Sequence, residues 1–222
     1  MRELFTMLKK GNVSAFMAAI VNFIISVIKG TAYIFTGNVA LFAETLHSLG
    51  DAANQFFVFI GSDLSKKAPT GRFPNGFGRL VNLVLLGAVL IVGIMSYETI
   101  KEGYLHIIDP TESSYFLVSI GVLFISVVLE SFVLLKAMRE IMHETGEEVQ
   151  GISYIYKSFS RFKDAKPATR LVFLEDLVAT SGGLLAIIAI IISHYTPFHA
   201  AEGLASIMIG LLMLIVVGKV FL

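Results

Sequence analysis

Six apolar runs of membrane length dominate this chain of 222 residues and leave few folds open to it. They are Val13–Phe35, Val39–Gly61, Leu80–Gly103, Tyr115–Met138, Leu171–Tyr195 and Phe198–Phe221. Each is close to the ~20 residues that a helix needs to cross a bilayer. In lipid every backbone N–H and C=O must find an internal partner, so runs of this kind predict helices. The alternation of a membrane barrel strand is absent, because the runs are continuously apolar. Composition agrees: 55% of residues are hydrophobic and 15% charged, too little polarity to coat a globule in water. The predicted fold class is therefore all-α, a polytopic membrane protein with six transmembrane helices forming one domain over residues 1–222.

Charge placement predicts the topology. Every lysine and arginine except Lys29 and Lys101 falls on one side of the six runs: Arg2, Lys9 and Lys10 before the first, four between the second and third, seven between the fourth and fifth, and Lys219 at the end. The positive-inside rule then puts both termini in the cytoplasm. The opening MRELFTMLKKGN lacks a small-residue cleavage site and reads as a mature N-terminus, not a signal peptide. Lysine plus arginine equal aspartate plus glutamate at 17 each, so nucleic-acid binding has no electrostatic support. With no cysteine, disulfides and thiolate metal sites are excluded. The loop Arg139–Thr169 carries Tyr154, Tyr156, Phe159 and Phe162 interleaved with Lys157 and Arg161, which predicts a short surface helix around Ser153–Phe162 resting on headgroups.

The polar residues inside the runs carry the functional signal. A charge at the bilayer centre costs ~2.5–3.5 kcal/mol on insertion scales, so it needs a role or a partner. Glu44 and Asp51 lie in the second run, Glu130 in the fourth, and Glu175 and Asp176 in the fifth, with Lys29 the basic residue within the spans. Acid outnumbers base, so pairing alone cannot neutralise them: some are protonated, or they share a cation. On a helix Glu44, His47, Asp51, Asn54 and Gln55 fall within an arc of about 100°. His47 and Asp51, four apart, stack one above the other. An imidazole with a carboxylate suits zinc, cobalt, iron or manganese better than magnesium or calcium. The alternative is a polar stripe that glues helices through hydrogen bonds.

Two ligands make a weak tetrahedral site, so a second half is needed. The fifth run, LVFLEDLVATSGGLLA, brings Asp176 near the depth of Asp51, with Thr180 one turn on along the same face. Glu175 points about 100° away from Asp176 and is a further ligand or a proton carrier. Glu130, on one face with Ser119 and Ser126, is a ligand, an acceptor for His47, or packing polarity. Glu44, Asn54, Gln55 and Thr180 form the supporting shell or a proton path. Asn22 and Lys29 read as packing or counter-charges, Glu98 and Glu102 as solvated, and His194 and His199 as a surface pair flanking a turn. No HExxH, P-loop or Rossmann glycine pattern occurs, so metalloprotease and ATP-driven chemistry lack their motifs, and the chain is not expected to be an enzyme.

TGNVALFAETLHSLGDAANQ, FPNGFGRLVN and GLASIMIGLL resemble the cation diffusion facilitator family over essentially the whole chain. LVFLED together with Glu130 is similar to the branch that includes the mitochondrial zinc transporter of animal cells. The resemblance implies that HSLGD joins a matching pair in span five to hold one divalent metal, exported against protons. Asp176 aligns with the second residue of that pair, but Val172 stands where its partner would be, which leaves Glu130 or Glu175 as the fourth ligand. Phe73 replaces a histidine common at the glycine turn. The family usually continues past span six into a cytoplasmic, ferredoxin-like domain, whereas the sequence here stops at Leu222, either as a natural short member or with the rest removed; a homodimer is implied by resemblance. The expected function is export of a divalent metal, zinc first, through His47, Asp51, Asp176 and Glu130 or Glu175, with manganese, iron or cobalt as alternative cargo and a non-transporting metal-sensing scaffold as the rival. The expected setting is a lipid bilayer, the bacterial inner membrane, with no bound cofactor.

Overall fold

The computed structural model describes residues 13–71, 73–111, 114–147, 151–165 and 167–221. The N-terminal basic residues Arg2, Lys9 and Lys10, with Arg72 and Lys166, lie outside the described residues. Six long helices follow one another: α1 (Val13–Thr36), α2 (Val39–Ser65), α3 (Gly78–Ile108), α4 (Phe116–Glu144), α6 (Pro167–Tyr195) and α7 (Ala200–Phe221). The short α5 (Tyr154–Arg161) sits between α4 and α6, at the position the interleaved aromatics predict, flanked by two 3-10 turns. Among the described residues there is no β-strand, only an isolated bridge between Thr70 and Phe73.

Five of the long helices are apolar enough to cross a membrane on length and composition; α2 is not among them. The reason is the polar stripe itself: Glu44, His47, Asp51, Asn54 and Gln55 lower the hydropathy of a 27-residue helix. Helix α2 is instead surrounded by protein, packing on α1, α3, α6 and α7. Helices α2, α3, α4 and α6 also run two to six residues past the predicted span ends. Hydropathy marks the stretch that fits lipid, whereas backbone hydrogen bonding continues into amphipathic turns.

The distribution of side chains is inverted relative to a soluble bundle. Large apolar residues such as Ile34, Leu117 and Phe132 point outward, while the interior is rich in alanine, serine and buried polar groups. That pattern suits lipid outside and close helix contact inside. The α3–α7 seam illustrates it. A Cβ on Gly103 would stand 2.6 Å from the Gly203 carbonyl oxygen, and one on Gly203 would stand 2.5 Å from that of Gly103. Ser206 Oγ donates across the same seam to the Thr99 carbonyl at 2.8 Å.

The α1–α2 turn is set by three residues, TGN. Gly37 takes φ +66°, which an L side chain resists. Asn38 then caps α2, its side-chain oxygen accepting from the Leu41 N–H at 2.9 Å. At the same end of the bundle Ser114 N–H donates to the Thr36 carbonyl at 2.8 Å. At the other end α5 and the 3-10 turn after it dock through Phe159 and Phe162, whose rings stand 5.4 and 5.9 Å from that of Phe173 on α6. The Arg139 guanidinium lies 5.0 Å from the centre of the Tyr154 ring.

Candidate metal site

Two polar clusters grow from the inward face of α2. The first is a clasp. Lys29 on α1 is 0% exposed, and its Nζ donates to Glu44 Oε2 at 2.9 Å, Glu130 Oε1 at 2.9 Å and Ser48 Oγ at 3.0 Å. Those three bonds use all three donors of an ammonium. Glu44 is likewise 0% exposed. Two close approaches make the clasp possible: Gly30 lets Thr45 come near on the α1–α2 contact, and Gly182 on α6 abuts Glu44. Lys29 is thus a counter-charge, one of the two roles the sequence allowed. Glu130, on one face with buried Ser119 and Ser126, is turned toward that ammonium.

The second cluster lies one to two turns further along α2. His47 is buried at 4% exposure, and neither ring nitrogen has a hydrogen-bond partner. Its Nε2 stands 3.5 Å from Asp51 Oδ2. That separation is too long for a good hydrogen bond. Two donors bound to one zinc ion at about 2.0–2.2 Å, with a tetrahedral angle between them, stand about 3.3–3.6 Å apart. The pair therefore has the spacing of two adjacent ligands.

Across from α2, α6 supplies Glu175 and Asp176. Asn54 Nδ2 donates to Glu175 Oε1, and Gln55 Nε2 donates to Glu175 Oε2 at 3.4 Å. The charges of Asp51 and Asp176 both reach Glu175, and those of Asp51 and Glu130 reach Asp176. One oxygen of Asp176 and the hydroxyl of Thr180 are buried without a partner. A cavity of about 40 Å³ opens beside His47, Asp51, Asn54 and Glu175, closed on its far side by aliphatic residues of α3 and α7, Val92 and Met213 among them. Gly50, between His47 and Asp51, lines it too. Such a cavity has room for an ion or a few waters.

Among the described residues, no group of three or more histidine, aspartate or glutamate side chains is already gathered for a metal. His47 and Asp51 face each other at ligand spacing, whereas Glu175 is occupied with α2's amides. Of the α6 pair, the sequence favours Asp176 as the ligand, but the structure sets Glu175 in the cavity wall. Helical geometry separates the two by about 100° without saying which way α6 is turned. Two features escape the sequence. Ser48, the third acceptor for Lys29, lies just beside the predicted polar face of α2 and carries no charge to mark it. His106 on α3 is buried, one ring nitrogen without a partner, in the last turn of the helix beyond the predicted run end at Gly103. At the turn between α6 and α7, His194 stacks on Phe116 with ring centres 4.1 Å apart, a packing role. Glu98 pairs with Lys101 at 3.0 Å on the exposed side of α3.

The chain is 28% identical over 194 residues to the mitochondrial proton-coupled zinc antiporter SLC30A9 of Homo sapiens, covering 83% of this chain and 32% of that protein. The Xenopus laevis protein of the same name is 27% identical over 183 residues, 82% of this chain and 32% of its own length. Metal tolerance protein C4 of Arabidopsis thaliana is 24% identical over 194 residues, 86% of this chain and 41% of the relative. The chain thus spans about a third of the length of the animal relatives it matches, 32%. The profile of the cation efflux transmembrane domain matches residues 15–222, nearly the whole chain. This integral membrane protein belongs to the cation efflux family, the cation diffusion facilitators, near the branch of the SLC30A9 zinc antiporter.

Proposed function

We propose that this chain carries a divalent metal cation, zinc first, out of the cytoplasm in exchange for protons. His47 and Asp51 form the fixed half of the site. Glu175 and Asp176 form the mobile half, Glu175 leaving Asn54 and Gln55 to close on the ion, with Thr180 lining the approach. The observation that carries this reading is the His47–Asp51 pair: a buried imidazole with both nitrogens unpartnered, 3.5 Å from a carboxylate. Buried polar atoms without partners are uncommon and ask for a ligand.

The chemistry of exchange follows from the donors. A metal needs neutral imidazole and ionised carboxylates, so metal and protons compete for the same atoms. An ion that enters displaces protons, and protons arriving from the other side displace the ion. Alternating access then requires the helices carrying the two halves, α2 and α6, to rock against their neighbours. The six-span topology with both termini cytoplasmic belongs to this reading and rests on the positive-inside distribution.

The test is zinc uptake into proteoliposomes under an imposed pH gradient. The wild-type chain exchanges zinc for protons, and Asp51→Ala abolishes it. Wild-type rates in that variant would refute the site, and no uptake by the wild-type chain would leave only the metal-sensing scaffold. One imidazole among carboxylates is also compatible with manganese, iron or cobalt. Competition by these ions against zinc in the same assay ranks the cargo.

A further inference from the structure

The two clusters on α2 are different answers to one electrostatic problem. Around the middle of the bundle stand five carboxylates, Glu44, Asp51, Glu130, Glu175 and Asp176, and the buried ammonium among the described residues is Lys29. That ammonium is not shared out. It sits between Glu44 and Glu130, takes an oxygen of each at 2.9 Å, and spends its third donor on Ser48. We propose that Lys29 is a tethered cation that determines specificity: it fills the gap between Glu44 and Glu130, withdraws both carboxylates from the metal's ligand set, and confines the transported ion to His47, Asp51 and the Glu175–Asp176 pair. This inference rests on the metal-carrying reading above and deepens it.

Four observations support the assignment. The ammonium's donors are saturated, so the contact is a built site and not a chance approach. Lys29 and Glu44 are fully buried and Glu130 nearly so, at 13% exposure, so water does not compete for these bonds. Gly182 presses on Glu44 from α6, where even an added Cβ would come within 2.7 Å of Oε1, and this backing holds the carboxylate toward Lys29. Finally, Glu44 Oε1 and Glu130 Oε2 are buried and without partners, so the pair retains the acceptors a metal would use if the ammonium were gone.

The consequence is chemical. With Glu44 and Glu130 withdrawn, the remaining set keeps one imidazole for at most three carboxylates. With them available, oxygen donors would dominate and the site would suit harder ions such as manganese. Lysine is suited to this task because its charge is compact and on a flexible stem. A guanidinium would need a planar fork of acceptors that these three oxygens do not offer.

The test is equilibrium zinc binding by the purified full chain in detergent. The neutral variant Lys29→Met/Glu44→Gln/Glu130→Gln removes all three charges of the clasp at similar volume and leaves none uncompensated, and its zinc affinity should stay within about threefold of wild type. A loss of about tenfold or more would make Glu44 or Glu130 a ligand and overturn the inference. The second variant, Lys29→Met in an Asp51→Ala background, should regain zinc binding that Asp51→Ala alone lacks, and adding Glu130→Gln should remove it again. If it folds and binds no zinc, the gap is not an ion site and the inference fails; if it does not fold, the neutral variant decides. Should the wild-type chain bind no zinc, the metal-carrying reading fails by itself. Lys29→Met alone then decides the tethered cation, since zinc binding gained supports it and none gained overturns it.

Discussion

Two carboxylates on one helix, seven residues apart, have opposite environments. Glu44 is fully buried and pinned by Lys29, with Gly182 against it. Asp51 is 23% exposed to a cavity, faces an imidazole at hydrogen-bond-breaking distance, and has two further acids across the way. Both are charges in the middle of a membrane-type bundle. The difference teaches that intramembrane charge by itself does not mark a functional group. Charge met by a buried ammonium holds helices together, and charge without one is available to bind something.

The largest expected effect separates the two directly. Removing one partner of a buried ion pair leaves an uncompensated charge and costs about 3–5 kcal/mol. Lys29→Leu, which strips Glu44 and Glu130 of their shared counter-charge, should destabilise the chain on that scale, with α1 and α4 loosened as well as α2. Asp51→Leu should change stability by less than about 1 kcal/mol, since it removes an acid that faces other acids and fills part of a cavity. Reversible unfolding in mixed detergent micelles measures both. Equal losses would erase the distinction between clasp and site.

A smaller effect probes the packing around the same two places. A Cβ on Gly182 would meet Glu44 Oε1 at 2.7 Å, whereas one on Gly50 would meet only ordinary contacts, Met213 at 3.5 Å being the nearest. Glu44 cannot turn aside without leaving Lys29. Gly182→Ala should therefore cost about 1–3 kcal/mol, the usual range for overpacking. Gly50→Ala should be neutral, or stabilising by up to about 1 kcal/mol through helix propensity. The same unfolding measurement ranks the two, and the reverse order would mean that the clasp is soft and the cavity tight.

How much of this was legible in the sequence depends on what each signal encodes. Long apolar runs locate helices well, because in lipid the backbone has no other way to satisfy itself. They locate helix ends poorly, as α4 shows by running past the predicted end at Met138 to Glu144 through Arg139 and Glu140. The i, i+4 spacing of His47 and Asp51 is legible because one helix supplies both, and their 3.5 Å separation follows from it. Contacts between helices are another matter. Glu130 meets Lys29 across 101 positions of sequence, and nothing in either run says that they meet. The turn of α6 that brings Glu175, not Asp176, against Asn54 and Gln55 is set by packing on α4 and α7. A helical wheel shows which residues share a face, never what that face meets.

The smallest expected effect comes from a third kind of ion pair, in the loop between α4 and α6, and it calibrates the other two. Glu147 accepts from Lys157 Nζ at 3.1 Å and is paired with Arg161 Nη2 at 2.7 Å, tying α5 back to the end of α4. These bonds, with Lys157 first, hold the Glu147 carboxyl below its ordinary value of 4.5. A carboxyl depressed in the folded state stabilises it fully above the unfolded value and loses that contribution as pH falls through the folded one. Protection of the α5 amides against hydrogen exchange, corrected for intrinsic rates, should therefore be flat from neutral pH down to the ordinary carboxylate range and weaken below it. Glu147→Gln should remove that pH dependence. Surface pairs of this kind are worth little because water and salt screen them, so raising the salt concentration should weaken the α5 tie while leaving the Lys29 clasp intact. A clasp that softened with salt as readily as the loop would have to be reached by water, and its two carboxylates would then be open to a metal.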